Sequence, residues 1–386
     1  MGNILLNLFK KESHYMWALV LSVAMLLVTF GCDGKNSEIK THLADPSAKD
    51  NAGESCGLVG MFNDKLQEID GPRAVARVGA VGDMAIDSGK NLYFTDEAYH
   101  TIREIKVNGE VVRIAGQSGE YGCNDGKKVD AHLFNPYGLA IDKTGTVFFY
   151  DHHMIRKAAP DGSVTTIAGA SNTVGANDGK GAQASFWSYQ VKMTIDRDGN
   201  LYIGDQSAVR KIAPDGVVTT LAGVANRGAS RVDGRGAHAR FKTISSIVID
   251  HANNIYVLDD GVIRKIDRSG EVTTIEGSSQ TSLGVPYAKS LTMHCAAASL
   301  AIDRSDNLYL GSYGAIRKIE PTGKVETLFD LDIDCSDNRG SDAGIISFPS
   351  AMAVDDEGNV YGFGARGLFK VTPSRELSLV LDRAFR

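Results

Sequence analysis

The sequence predicts an all-β fold, a six-bladed β-propeller of four-stranded antiparallel blades, and three observations predict it. A string of three apolar or small residues closed by Asp recurs six times, the Asp residues standing 55, 54, 54, 53 and 52 positions apart. Between copies, apolar and polar residues alternate with period two from one Gly-containing turn to the next, which describes short strands joined by hairpins. Glycine is 42 of 386 residues and proline only 9, a surplus of tight turns without the composition of a disordered linker.

The copies are Met84-Ala85-Ile86-Asp87, Leu139-Ala140-Ile141-Asp142, Met193-Thr194-Ile195-Asp196, Ile247-Val248-Ile249-Asp250, Leu300-Ala301-Ile302-Asp303 and Met352-Ala353-Val354-Asp355. After each Asp comes a turn, then a strand such as Asn91-Leu92-Tyr93-Phe94 or Asn200-Leu201-Tyr202-Ile203. A basic strand follows, as in Val209-Arg210-Lys211-Ile212 or Ile263-Arg264-Lys265-Ile266. A second turn (Asp161-Gly162, Asp215-Gly216) leads to Val164-Thr165-Thr166-Ile167 or Val218-Thr219-Thr220-Leu221. Closing such units into a ring buries both faces of every blade and leaves few exposed edges, which an open stack does not. The propeller is expected over 56–386, with blades starting near 82, 137, 191, 245, 298 and 350.

The connections also repeat. Asp70-Gly71, Asp125-Gly126, Asp178-Gly179 and Asp233-Gly234 precede the next copy's Asp by 17, 17, 18 and 17 residues. Each Asp is followed six positions later by Ala76, Ala131, Ala184 or Ala239, then by an apolar residue such as Phe134, Phe186 or Phe241. Ring closure is ambiguous: Leu58-Val59-Gly60 imitates the end of a fourth strand, yet Leu377 to Leu381 already offers one to blade six. The string Leu-Ala-Ile-Asp, Leu-Tyr, Ile-Arg-Lys-Ile, Asp-Gly, Val-Thr-Thr-Ile-Ala-Gly resembles the NHL repeat, over about 300 residues. The resemblance implies the propeller; propellers host many unrelated activities, so it leaves function open. Copy six departs from it, with Leu368-Phe369-Lys370 in place of the Ile-Arg-Lys type and Gly364 in place of Asp.

Residues 1–31 read as a signal peptide: Lys10 and Lys11 precede an uncharged apolar run from Tyr15 to Gly31, and Cys32 follows at once. A cysteine at the first mature position resembles bacterial lipoprotein signals, which implies lipidation of Cys32; Thr29 stands where that family usually has Leu. An uncleaved anchor and plain secretion are the alternatives, and all three place the bulk of the chain outside the cytoplasm. Residues 32–55 are polar, low in bulky apolar side chains and mixed in charge, and read as a flexible tether with a reach of roughly 25–30 Å.

With 41 Lys+Arg against 47 Asp+Glu the formal charge is −6, which argues against nucleic acid as a partner. Apart from Cys32, four cysteines remain, and all four map to blade-to-blade connections. In an oxidising compartment an even number permits two disulfides, and adjacency of connections suggests Cys56–Cys123 and Cys295–Cys335.

Charges that recur in every blade are expected to pair with one another: the Asp closing the second strand (Asp96, Asp151, Asp205, Asp259) and the Arg after it (Arg103, Arg156, Arg210, Arg264, Arg317). Non-repeating residues on the loop-rich face are the better binding candidates. Asp151-His152-His153 sets imidazoles beside a carboxylate. His132 and His238 occupy similar connections and would converge with that pair over the mouth if the geometry allows, while Tyr121, Trp187 and Tyr287 are aromatics in the long connections. No HExxH and no pair of CxxC motifs occurs, so a metal site would be assembled across blades. Asp332, Asp334 and Asp337 alternate as calcium ligands do, but lack an EF-hand's Gly and Glu; calcium is the one cation the residues suggest, and otherwise no cofactor is expected.

These readings lead to a cell-envelope lipoprotein whose propeller binds a protein, peptide or glycan through its loop-rich face. The alternative is a metal-dependent lactonase- or lyase-like enzyme working at the channel mouth, a class the six-bladed architecture resembles, although no residue-by-residue match to its ligands is found.

Overall fold

The structure is a computed structural model that describes residues 60–61, 69–188, 190–225, 230–275, 299–312, 314–330, 349–364 and 366–382. The described residues form six four- or five-stranded antiparallel sheets in chain order, one per sequence copy, and one two-stranded pairing, so the chain is a six-bladed β-propeller. The inner strands are Val81–Ile86, Pro136–Ile141, Met193–Ile195, Ile244–Ile249, Ser299–Ile302 and Met352–Val354. Each blade then runs outward by hairpins to its edge. The second strand is the most enclosed: Leu92–Asp96 and Leu201–Asp205 are buried along their whole length, because neighbouring blades cover both faces.

The core is correspondingly divided into six apolar clusters, one at each blade-to-blade interface. Phe149 and Leu139 meet Ile102 between blades one and two, and Phe186, Val191 and Ile203 meet Tyr150 and Ile155 between two and three. Others join three to four, four to five and five to six. The sixth closes the ring, with Met84, Leu92 and Phe94 of blade one against Phe363, Leu368 and Leu381 of blade six.

Four strands per blade proves too few in blades one to four. The Asp-Gly connections contribute a fifth, two-residue strand to the blade that follows: Gly71–Pro72, Gly126–Lys127, Gly179–Lys180 and Gly234–Arg235 pair with that blade's outer strand. After three of them a 3-10 turn, Lys128–Asp130, Gly181–Gln183 or Gly236–His238, packs on the outer strand of the preceding blade. Each connection is thus a wedge gripping two blades, which is why Ala76, Ala131, Ala184 and Ala239 are fully buried.

The closure ambiguity also resolves. Leu377–Asp382 is the outer strand of blade six, whereas Gly60–Met61 pairs with Glu120–Tyr121. Every blade is contiguous in sequence, and blades one and six meet by side-chain packing rather than by sharing a sheet.

Two polar devices fix the turns. On one face, Asp196 Oδ1 accepts from Asn200 N at 2.8 Å, and Oδ2 accepts from Asn200 Nδ2 at 2.8 Å and from the Tyr202 hydroxyl at 3.1 Å. The same set recurs at Asp87, Asp250, Asp303 and Asp355. On the opposite, loop-rich face, the fully buried Arg210 donates to Asp205 Oδ2 (3.1 Å), Asp178 Oδ1 (2.9 Å) and the carbonyls of Ser185 and Asn177 (3.2 and 2.7 Å). Arg103, Arg156 and Arg264 repeat this, so the recurring charges do pair with one another. Blade five substitutes Ser312 for the strand-end Asp, and Arg317 turns to Asp330 at 3.6 Å.

Candidate functional site

The Asp–Arg clamps determine what the loop face displays. In blades two to four the second oxygen of the strand-end Asp holds two consecutive backbone N–H groups of the incoming connection, whereas Asp96 of blade one accepts from Gly79 N through Oδ2. Asp151 Oδ1 accepts from Phe134 N and Asn135 N (2.9 and 2.8 Å), Asp205 Oδ1 from Trp187 N and Ser188 N (both 2.9 Å), and Asp259 Oδ1 from Lys242 N and Thr243 N (2.8 and 3.0 Å). Phe134, Trp187 and Lys242 are therefore equivalent positions, pinned by their backbones with side chains free of the core. Phe134 was expected to fill the apolar slot after Ala131. Leu133 fills it instead, fully buried like Phe186 and Phe241, and Phe134 is 36% exposed.

From Phe134 a row of rings crosses the loop face: its centroid lies 4.3 Å from His152 and 5.6 Å from Tyr121, and Tyr121 lies 5.6 Å from His100. His152 Nδ1 sits 3.5 Å from Cys123 Sγ, which is disulfide-bonded. Burial lowers the pKa of His100, His152 and His153, so these rings are neutral at pH 7.

The expected Asp151-His152-His153 site separates into different roles. Asp151 is wholly buried in its clamp. His153 is buried too, its Nδ1 within 3.3 Å of the Tyr150 hydroxyl and 3.2 Å of the Phe186 carbonyl, which leaves His152 alone facing the loops. His152 and His153 both adopt positive φ (48° and 67°), the cost of a two-residue hairpin at this corner. His132 and His238 are not equivalent: His132 follows Ala131 and bonds Glu120 at 3.2 Å, whereas His238 precedes Ala239 and ends an exposed 3-10 turn against the outer strand of blade three. Among the described residues no three His, Cys, Asp or Glu side chains are placed to hold a metal ion. Cys32, Cys56, Cys295, Cys335, Tyr287, Asp332, Asp334 and Asp337 lie outside the described residues.

Sequence reasoning named the channel mouth but missed the residues that form it. The inner strands of all six blades line an axial cavity of about 230 Å3. One register, the residue just before each apolar-Asp string, reads Asp83, Gly138, Lys192, Ser246, Ser299 and Ala351 around the ring. That position never repeats a charge, and this variability in an otherwise regular alignment was the available signal. Asp83 Oδ2 accepts from Leu139 N at 2.9 Å, and Ser246 Oγ from Leu300 N at 2.9 Å, so a side chain at this register caps the next blade. Lys192 instead spans the channel. Its buried ammonium donates to Asp83 Oδ1 (3.0 Å), the Ser350 carbonyl (3.0 Å) and the Gly82 carbonyl, with the Tyr137 ring centroid 4.8 Å away. Burial alone would lower its pKa; Asp83, Tyr137 and Glu97 outweigh that and hold it above the ordinary lysine value. Glu97, on the blade-one hairpin, lies against Gly82, and burial pushes its carboxyl up to about 7, opposed by Lys192 and reinforced by Asp83.

Comparison with known proteins adds the following. A family model described as the teneurin NHL domain matches residues 85–194. Mouse teneurin-3 is 28% identical over 275 residues, covering 61% of this chain and 10% of that protein. Human teneurin-4 is 23% identical over 284 residues, covering 64% and 10%. The chain thus spans about a tenth of the length of these curated relatives. Among solved structures, a gluconolactonase from Xanthomonas campestris aligns with a TM-score of 0.50 at 11% identity, covering 82% of this chain and 97% of that one. At that identity the likeness is one of fold.

Proposed function

We propose that this chain is an exported binding module that holds a protein or peptide partner on the loop face of its propeller. The observation that carries the reading is the paired placement of Phe134 and Trp187: two large aromatics at one repeat position, their backbones locked to buried Asp–Arg clamps and their rings outside the core. Rigid aromatics bind at low entropic cost, which is how interface anchors work. Similarity to the NHL region of teneurins supports an extracytoplasmic module, and the N-terminal sequence supports anchoring through a lipidated Cys32. Replacing Cys32 by Ser is expected to move the protein from the membrane to the soluble fraction.

The test is site-specific photo-crosslinking in intact cells. A benzoylphenylalanine at position 134 is expected to give a discrete protein adduct that W187A abolishes. The same probe at Val107, an exposed residue on the opposite face, is expected to give none. Identical adducts from both positions, or none from position 134, overturn the reading; a glycan partner would appear as a carbohydrate-bearing adduct.

A further inference from the structure

The hydrogen bonds at the mouth do not balance the charges there. Four ionisable groups face one another: Asp83 from the inner strand of blade one, Glu97 from its hairpin, Tyr137 from the inner strand of blade two and Lys192 from the entry to blade three. Lys192 has three ammonium protons and three acceptors, Asp83 Oδ1 and the Gly82 and Ser350 carbonyls. Asp83 answers with one oxygen to Lys192 and the other to Leu139 N. That pair is complete within itself, and Glu97 is the surplus negative charge, engaged by no hydrogen bond or ion pair among the described residues.

Its placement is built. A Cβ on Gly82 would stand 2.6 Å from Glu97 Oε1 and 2.7 Å from the Tyr137 ring, so glycine at this position lets carboxylate and ring share one spot at the rim of the channel. A largely desolvated carboxylate beside an aromatic ring is complementary to a basic side chain, which supplies both charge-assisted hydrogen bonds and a cation for the ring. The ammonium of Lys192 shows that this ring accepts a cation, 4.8 Å from its centroid, but its three protons go to Asp83, Gly82 and Ser350 and none to Glu97.

We infer that the channel mouth receives an arginine or lysine side chain of the bound partner, seated on Glu97 and Tyr137. This rests on the loop-face reading above and names the group the partner brings. Seating a cation there requires the ionised carboxylate, so binding couples to proton release. Because Glu97 titrates at about 7, affinity is expected to fall about ten-fold from pH 8 to pH 6.

Arginine amide is the probe, with the uncharged citrulline amide as its control, read by carbon-13 NMR of glutamate-carboxyl-labelled full-length protein. Arginine amide is expected to move the Glu97 resonance and lower its titration midpoint by at least one pH unit; citrulline amide is expected to do neither. In E97Q, the pH dependence of arginine amide binding, read by calorimetry, is expected to vanish. An equal response to citrulline amide, an unchanged midpoint, or the same shift produced by calcium chloride overturns the inference, and the wild-type titration alone decides it should E97Q fail to fold. The probe needs no protein partner. A failed titration with the position-134 crosslink intact therefore leaves a partner docked by aromatics, whereas a lost crosslink with a positive titration removes the docking surface and keeps the cation site.

Discussion

Phe134 and Trp187 are held by the same bond 53 residues apart, each backbone N–H ending 2.9 Å from the Oδ1 of a fully buried aspartate, Asp151 and Asp205 respectively. Those aspartates are in turn ion-paired to Arg156 and Arg210 at 2.7 and 3.1 Å. The display of an aromatic side chain and the stability of the blade therefore share one carboxylate, and substitutions can separate the two.

F134A removes a ring that the core does not use. Its unfolding free energy in urea is expected to fall by only about 0.5–1.5 kcal/mol, the worth of its contacts with the His152 and Tyr121 rings, while the crosslink from a benzoylphenylalanine placed at position 187 is lost. D205A, by contrast, strands the buried Arg210 and frees two backbone N–H groups, and should cost roughly 3–5 kcal/mol.

Arg210 bonds two carboxylates and two carbonyls at once, a fork that an ammonium cannot copy. R210K is expected to lower stability by about 2–4 kcal/mol. At Arg317 the strand-end partner is Ser312, at 3.5 Å, and R317K should cost clearly less. Equal losses in paired denaturation curves would contradict this account of the clamp.

K192M leaves Asp83 buried without its counter-ion and should destabilise by roughly 3–5 kcal/mol. Adding D83N to K192M is expected to restore part of that loss, because the uncompensated charge disappears with it. Strict additivity in the double-mutant cycle would show that the two side chains do not act as a pair.

The Glu97 carboxyl has an ordinary value of 4.5 and is raised to about 7 in the fold. Between those values the folded state holds the extra proton, so stability is present at low pH and declines as pH rises from about 4.5 to 7. E97Q should remove that decline, gaining on wild type by ~1–3 kcal/mol at pH 8 relative to pH 4. Chemical denaturation at the two pH values measures it.

Gly138 has a φ of +25°, and a Cβ there would come within 1.9 Å of the Val191 carbonyl of the next blade. G138A is expected to unfold the blade-two to blade-three interface, with a loss of at least ~3 kcal/mol. At Gly145, whose φ is +84° but whose nearest contact would be Pro160 at 3.7 Å, alanine should cost only ~1 kcal/mol. Thermal melts of the two variants distinguish crowding from backbone preference.

Six copies and their strands were legible in the sequence because strand period, turn glycines and the Asp–Arg recurrence are local signals repeated often enough to align. The fifth strands were not, since two residues such as Gly126–Lys127 carry no periodicity and join the sheet only through a partner more than 35 residues away. Recurrence correctly marked Arg210 and Asp205 as structural, yet Asp151, which belongs to the same recurrence, also looked functional because two histidines follow it. Leu133 and Phe134 could not be ranked from sequence: both are apolar, and only the clamp on Phe134 N decides which one turns inward. The residues of the mouth were hidden for a different reason. Lys192 and Asp83 are 109 residues apart and become neighbours only once the ring is closed.

That closure has a kinetic meaning. Each blade forms from neighbouring hairpins and is inexpensive in chain entropy, whereas the first and last blades meet only after the whole chain has curved round. The apolar cluster that rewards that step is joined by polar contacts across long stretches of chain: Lys90 with Glu357 across 267 residues, Ser350 Oγ with the Val81 carbonyl across 269, and the ammonium of Lys192, which touches blade one at Asp83 and blade six at Ser350 together. A side chain from the third blade thereby holds both lips of the final joint from inside. Hydrogen exchange in Val81–Ile86 and Met352–Val354, which reads the opening of that joint, is therefore expected to quicken when Lys192 is replaced, although Lys192 belongs to neither strand.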